Sequence, residues 1–115
     1  SVARTVHDRR VYDTAYLAIK AIAPRPHGIY CVDLKEDSDL NIVPLEVNYG
    51  RFFTTSNFFT EIGVNGPAQL LNIVFSNPVH KTVESIREEF YWTRGLDRQP
   101  YLAKKCADGS LIRVV

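Results

Sequence analysis

Two acids and an amide stand where two neighbouring strands would present them together. Asp33 lies in Gly28-Ile29-Tyr30-Cys31-Val32-Asp33-Leu34, and Glu46 and Asn48 lie in Val43-Pro44-Leu45-Glu46-Val47-Asn48-Tyr49-Gly50-Arg51. These are hard oxygen donors. Mg2+ takes such donors in octahedral geometry at ~2.1 Å, commonly one or two carboxylates, with phosphates and waters in the other positions. Successive side chains of a strand alternate faces, so Glu46 and Asn48 point the same way. Asp33 shares a face with Cys31, while Tyr30, Val32 and Leu34 supply an apolar side. One acid from each strand then converges on a cation. An ion pair held by two carboxylates and a neutral amide keeps net positive charge, which suits it to anchoring a nucleotide triphosphate.

The elements that must position these residues are legible around them. From Asp8 to Ala23, Val11, Ala15, Ala18, Ile19 and Ile22 recur at spacings of three and four, the stripe of an amphipathic helix with Asp8 as N-cap. Pro24 and Pro26 stop that helix, and Gly28 turns the chain into a strand from Ile29 to Leu34. Residues 35–41 are polar and turn-prone, which makes them the loop of an antiparallel hairpin whose second strand runs from Ile42 to Asn48. Pro44 within that strand predicts an edge position or a bulge.

Beyond the hairpin, Thr55 or Ser56 caps a short helix ending at Gly63, and Asn65-Gly66-Pro67 opens another. The second has Leu70, Leu71, Val74 and Phe75 as an apolar stripe, ends near Asn77-Pro78 and is expected to pack on the sheet. Val83, Ile86 and Phe90 predict a third amphipathic helix over Lys81 to Trp92, stopped at Arg94-Gly95. The Asp108-Gly109 pair between Tyr101–Lys105 and Leu111–Val115 predicts a terminal two-stranded element. No repeat or linker interrupts the chain. The sum is one compact α+β unit over residues 1–115, an antiparallel sheet with helices packed on one face.

At 115 residues the chain is long enough for a real core but short for an enzyme that must hold two or three substrates. Its opening at Ser1 without an initiating Met, directly before a structured pattern, leads us to expect a domain of a longer protein. A formal net charge of +1 with interspersed signs provides no broad field for nucleic acid or an anionic membrane. Cys31 and Cys106 lack metal-type spacing, and no apolar run approaches the ~20 residues of a membrane span. The expected location is cytoplasmic, with no nucleic acid or membrane as partner; a homo-oligomer stays open.

The arrangement of Asp33 on one strand and Glu46-Val47-Asn48 on the next resembles the metal-binding strands of the ATP-grasp family, with the preceding helix in the matching place. The sequence around Glu46-Val47-Asn48-Tyr49-Gly50-Arg51 is most similar to carbamoyl phosphate synthase-like members. Residues from about 8 to 76 carry the resemblance, leaving 77–115 as a helix and terminal hairpin. The resemblance implies the C-terminal half of an ATP-grasp fold and an ATP-dependent carboxylate-amine or related ligase. In that family Mg2+ on the ATP phosphates, with Mn2+ as a possible substitute, supports attack of a carboxylate on the γ-phosphate, and an amine or similar nucleophile captures the acylphosphate. Asp33, Glu46 and Asn48 would then be metal ligands, with Glu46 bridging two ions. Arg51 would contact phosphate or substrate and act in catalysis. Relatives often carry that arginine two residues after the Asn, whereas Tyr49 and Gly50 intervene here. The chain has no glycine-rich phosphate loop and no upstream half bearing the lysines and adenine pocket, so the fragment alone is expected to be inactive and to need that N-terminal portion.

Other residues have plainer explanations. A non-catalytic α+β interaction domain is the alternative to the ligase. Phe52, Phe53, Phe58 and Phe59 beside Arg51 would make a base-stacking platform only if exposed, and core packing is the simpler expectation. Arg51 itself has a surface ion pair as its competing role. Helix capping and phosphate contact account equally for Thr54, Thr55, Ser56 and Asn57. His7, His27 and His80 have no partner at catalytic spacing. Trp92, with Tyr91 and Arg94 beside it, reads as a buried aromatic anchor at a helix end.

Overall fold

In a computed structural model, which describes residues 1–78 and 86–114, the chain runs β1 (Val2–Arg4), α1 (Arg9–Ile22), β2 (Tyr30–Glu36), β3 (Ile42–Tyr49), α2 (Asn57–Glu61), α3 (Gly66–Val74), β4 (Phe90–Thr93), β5 (Tyr101–Lys105) and β6 (Leu111–Arg113). The class is α+β, and every strand pairing among the described residues is antiparallel. The strands form two sheets where one was expected: a two-stranded β2-β3 hairpin and a four-stranded sheet in the order β1-β4-β5-β6. Correspondingly, the contacts gather into two units, residues 8–54 and Ser1–His7 with the described residues from Thr55 onward.

The unit of residues 8–54 is α1 on the hairpin. Asp8 caps α1 by accepting from the Arg10 backbone N–H at 2.9 Å. The half-buried residues of α1 are Val11, Thr14, Ala15, Ala18, Ile19 and Lys20, so the apolar stripe faces inward except for Ile22, which stays exposed. Arg10 ties the N-terminal end of the helix to the far end of the hairpin: its guanidinium donates to the Leu40 carbonyl at 3.0 Å and lies 3.3 Å from Glu36 Oε2. In the loop Asp37 Oδ1 accepts from the backbone N–H groups of Asp39 and Asn41, at 2.9 and 2.8 Å. That local turn closes the hairpin as its polar composition predicts.

The other unit is built on pairings distant in sequence. Strand β1 adds to the edge of β4 with Val2 opposite Thr93 and Arg4 opposite Tyr91, and the Ser1 ammonium donates to the Arg94 carbonyl at 2.7 Å. Thr5, which is buried, donates through its hydroxyl to the Arg87 carbonyl, and His7 bonds Ile86 and Glu88. The core is Phe58, Ile62, Phe90, Trp92 and Leu102, with Phe59 and Ile86 against it. Phe58 stacks on Trp92 with ring centroids 5.7 Å apart.

Two expectations for this unit are corrected. Phe90 to Trp92 belong to a central strand instead of a helix, with burial alternating along Phe90–Thr93 at the period of two that a strand imposes. The spacing of Ile86 and Phe90 suited a helix, but an aromatic run ending in Thr pairs on both sides, with β1 and β5, and that ladder decides. Residues 79–85, where the third helix was expected to begin, lie outside the described residues, as does Val115. Helix α3 starts as expected, with Asn65 Oδ1 accepting from the Ala68 N–H at 2.9 Å and Pro67 in its first turn. It buries no residue, however, and Leu71, Val74 and Phe75 are exposed. The helical contribution to the core comes instead from Phe58 and Ile62, in and beside α2. No described helix is long and apolar enough to cross a membrane.

Candidate functional site

The hairpin register decides what the three candidate ligands can do together. Asp33 lies opposite Glu46, and Cys31 lies opposite Asn48. Directly opposed residues of an antiparallel pair share a face, and so do residues two apart on one strand. All four side chains therefore occupy one face, with the two carboxylates as neighbours. Tyr30, Val32, Val47 and Tyr49 occupy the other.

A bulge borders this arrangement. The pairing shifts between Asp33 and Leu34, where Leu34 meets Pro44 and Leu45 is left over. Pro44 has no N–H to give the ladder, and the irregularity falls beside it, as its presence in the strand predicts. From Asp33 back to Tyr30 the pairing is regular, so the slip does not reach the acids.

Asp33 and Glu46 are exposed, whereas Cys31 and Asn48 are half-buried. The Asn48 amide nitrogen is buried and has no hydrogen-bond partner among the described residues. Burial pushes the Cys31 thiol up, the Asp33 and Glu46 carboxylates push it further, and Arg51 opposes them. Arg51 thus lies near enough to Cys31 to act on it electrostatically, although Tyr49 and Gly50 separate it from Asn48. It is exposed and makes no hydrogen bond or ion pair with the described residues, so its competing role in a surface ion pair finds no partner among them.

As a donor set this is two carboxylates and an amide. Among the described residues no three His, Cys, Asp or Glu side chains gather to hold a metal ion, so a cation here would need oxygen ligands from elsewhere. The residue types fit Mg2+ or Mn2+ in that incomplete form. The phenylalanines following Arg51 do not make a stacking platform. Phe58 is 3% exposed in the core, Phe59 packs against it, and Phe52 and Phe53 are half-buried. Ser56 stands at the N-cap of α2, but its side chain makes no capping bond.

The opposite face of the hairpin holds a second feature. Ile22, Ala23, Arg25, His27, Tyr30 and Tyr49 line a concavity of about 270 Å3 at the C-terminal end of α1. Its signal was present as a tyrosine on each strand beside a Pro-Arg-Pro loop, but only the register shows that Tyr30 and Tyr49 are partners. Compared with known proteins, the chain matches no family model, no curated protein and no solved structure.

Proposed function

We propose that this chain is the C-terminal portion of an ATP-grasp ligase, in which Asp33, Glu46 and Asn48 hold Mg2+ against the phosphates of ATP and Arg51 contacts phosphate or substrate. The observation that carries the proposal is the direct opposition of Asp33 and Glu46 on an exposed face. Like charges placed opposite each other destabilise a strand pair by roughly 0.2–1 kcal/mol, and a divalent cation between them reverses the sign of that interaction. When bound, the cation would neutralise phosphate charge during activation of a carboxylate. Asp33 and Glu46 would bind and orient it, Asn48 would add a neutral oxygen, and the guanidinium of Arg51, without an ion pair among the described residues, would be available to an anion. The ligands missing from this set would come from the triphosphate and from the N-terminal portion of the domain.

The exposed apolar residues Leu71 and Val74 of α3, with Phe75 at its C-cap, favour a second reading, an interaction domain without catalysis. It gives the opposed acids no role, and an assay separates the two. In the longer protein, ATP-dependent phosphate release is screened with carboxylates and amines for wild type and Glu46→Ala. Loss of at least about a hundredfold in the variant is expected. Unchanged turnover would reject the metal role of Glu46.

A further inference from the structure

The concavity on the opposite face has the composition of a ligand site in its own right, and it does not depend on the ligase proposal. We propose that it binds a small ligand consisting of one aromatic ring bearing an anionic group, a carboxylate or a phosphate.

Its walls are set by regular structure. Tyr30 and Tyr49 are directly opposed, their ring centroids 5.2 Å apart and tilted by 53°, within the range in which aromatic pairs attract edge to face. The Gly50 N–H donates to the Ile29 carbonyl at 2.9 Å, closing the strand end that carries both rings. The loop beside them is stiffened as well. Pro24 and Pro26 fix their own backbone angles on either side of Arg25, and Lys20 donates to the Pro24 carbonyl. Gly28 follows with φ +85°, a left-handed conformation that returns the chain beneath Tyr49 and that a side chain would strain.

The chemistry of the lining selects the ligand. Arg25 makes no hydrogen bond or ion pair with the described residues, so its planar fork of donors is open to a carboxylate or phosphate. The end of α1 opposes an anion with about half a negative charge, but Arg25 brings a whole positive one, so an anion remains favoured. Two tyrosine rings with Ile22 and Ala23 provide a surface for an aromatic ring. The volume of about 270 Å3 lies just under the ~300–1,000 Å3 usual for ligand pockets, which suits a ligand of a single ring. The acids of the candidate metal site stand on the other face of the strands, so the two sites can be tested separately.

The test is a titration of the isotope-labelled 115-residue chain with benzoate and with phenyl phosphate, followed by amide chemical shifts. Benzyl alcohol and inorganic phosphate serve as the ring-only and anion-only controls. Saturable shifts confined to residues 22–30 and 49–50 are expected, with a Kd on the order of 1 mM. Arg25→Gln should weaken binding at least about tenfold, and Tyr49→Leu should weaken it with the folded spectrum retained elsewhere. Glu46→Ala should leave it unchanged. No saturable shift with either probe, equal binding of inorganic phosphate, or unaltered binding by Arg25→Gln would each overturn the proposal.

Discussion

Asp33 and Glu46 are the residues at which stability and the proposed function pull in opposite directions. Each could be solvated elsewhere on the surface, yet the register sets them side by side. Replacing one acid by its uncharged isostere should therefore help the metal-free fold. In the presence of a chelator, Asp33→Asn is expected to be more stable than wild type by roughly 0.2–1 kcal/mol in urea denaturation. In the longer protein, adding Mg2+ with ATP should raise the melting temperature of wild type more than that of the variant, because binding to the native state is what stabilises it. A variant no more stable than wild type without metal would show that solvent already screens the pair. Asn48 and Arg51 complete the residue-scale account: among the described residues the amide nitrogen of one has no hydrogen-bond partner and the guanidinium of the other has no carboxylate.

At the scale of elements, three carboxylates hold chain turns and helix ends in place. Asp8 is kept below its ordinary value of 3.8 by its side-chain bond to Arg10, Asp37 by the backbone N–H of Asn41, and Asp108 by the Ser110 hydroxyl. Each folded value is depressed relative to the unfolded chain. Stability from these groups is therefore present above pH 3.8 and is lost as pH falls through the depressed values. Urea midpoints measured from about pH 5 down to about pH 2 should decline across that window. The decline should be shallower in Asp37→Asn, which cannot lose a charge there; an identical slope would remove Asp37 from the account. These acids do their work locally, at the start of α1, in the β2-β3 loop and in the β5-β6 turn, where Gly109 takes φ +86°. Such elements were legible because capping and turn chemistry act over a few residues. The strand β4 was not, since Phe90-Tyr91-Trp92-Thr93 becomes a strand through partners at both edges that no local window contains.

For the whole chain, the division into two units follows from where apolar side chains find cover. The unit containing Phe58 has an interior built from residues far apart in sequence, with Phe58, Trp92 and Leu102 each at 5% exposure or less. Truncating Phe58 removes a ring stacked on Trp92 and leaves a cavity. Phe58→Ala is expected to cost about 3–5 kcal/mol in chemical denaturation. Leu17→Ala, at a position 67% exposed, should change stability by less than about 0.5 kcal/mol. Comparable losses at the two positions would mean that the core has been misplaced. The unit of residues 8–54 uses a different economy, a helix laid on a single hairpin, with Arg10 joining the two.

By itself the sequence determined the residue types of the candidate site, the helix before it, the two strands that carry it and the loop that joins them. Periodicity, proline placement and turn chemistry are short-range, and α1, β2 and β3 follow one another within residues 8–54. Parity also placed Glu46 and Asn48 on one face, since alternation is a property of one strand. Tertiary structure alone decided that Asp33 meets Glu46 and Cys31 meets Asn48, because pairing register depends on both strands and on the bulge at Leu45. It alone paired β1 with β4 across some ninety residues, moved Phe90–Trp92 from helix to strand, and left the apolar side of α3 exposed. The physical reason is the same throughout. A side chain's neighbours along the chain set its direction, and neighbours distant in sequence set what it meets.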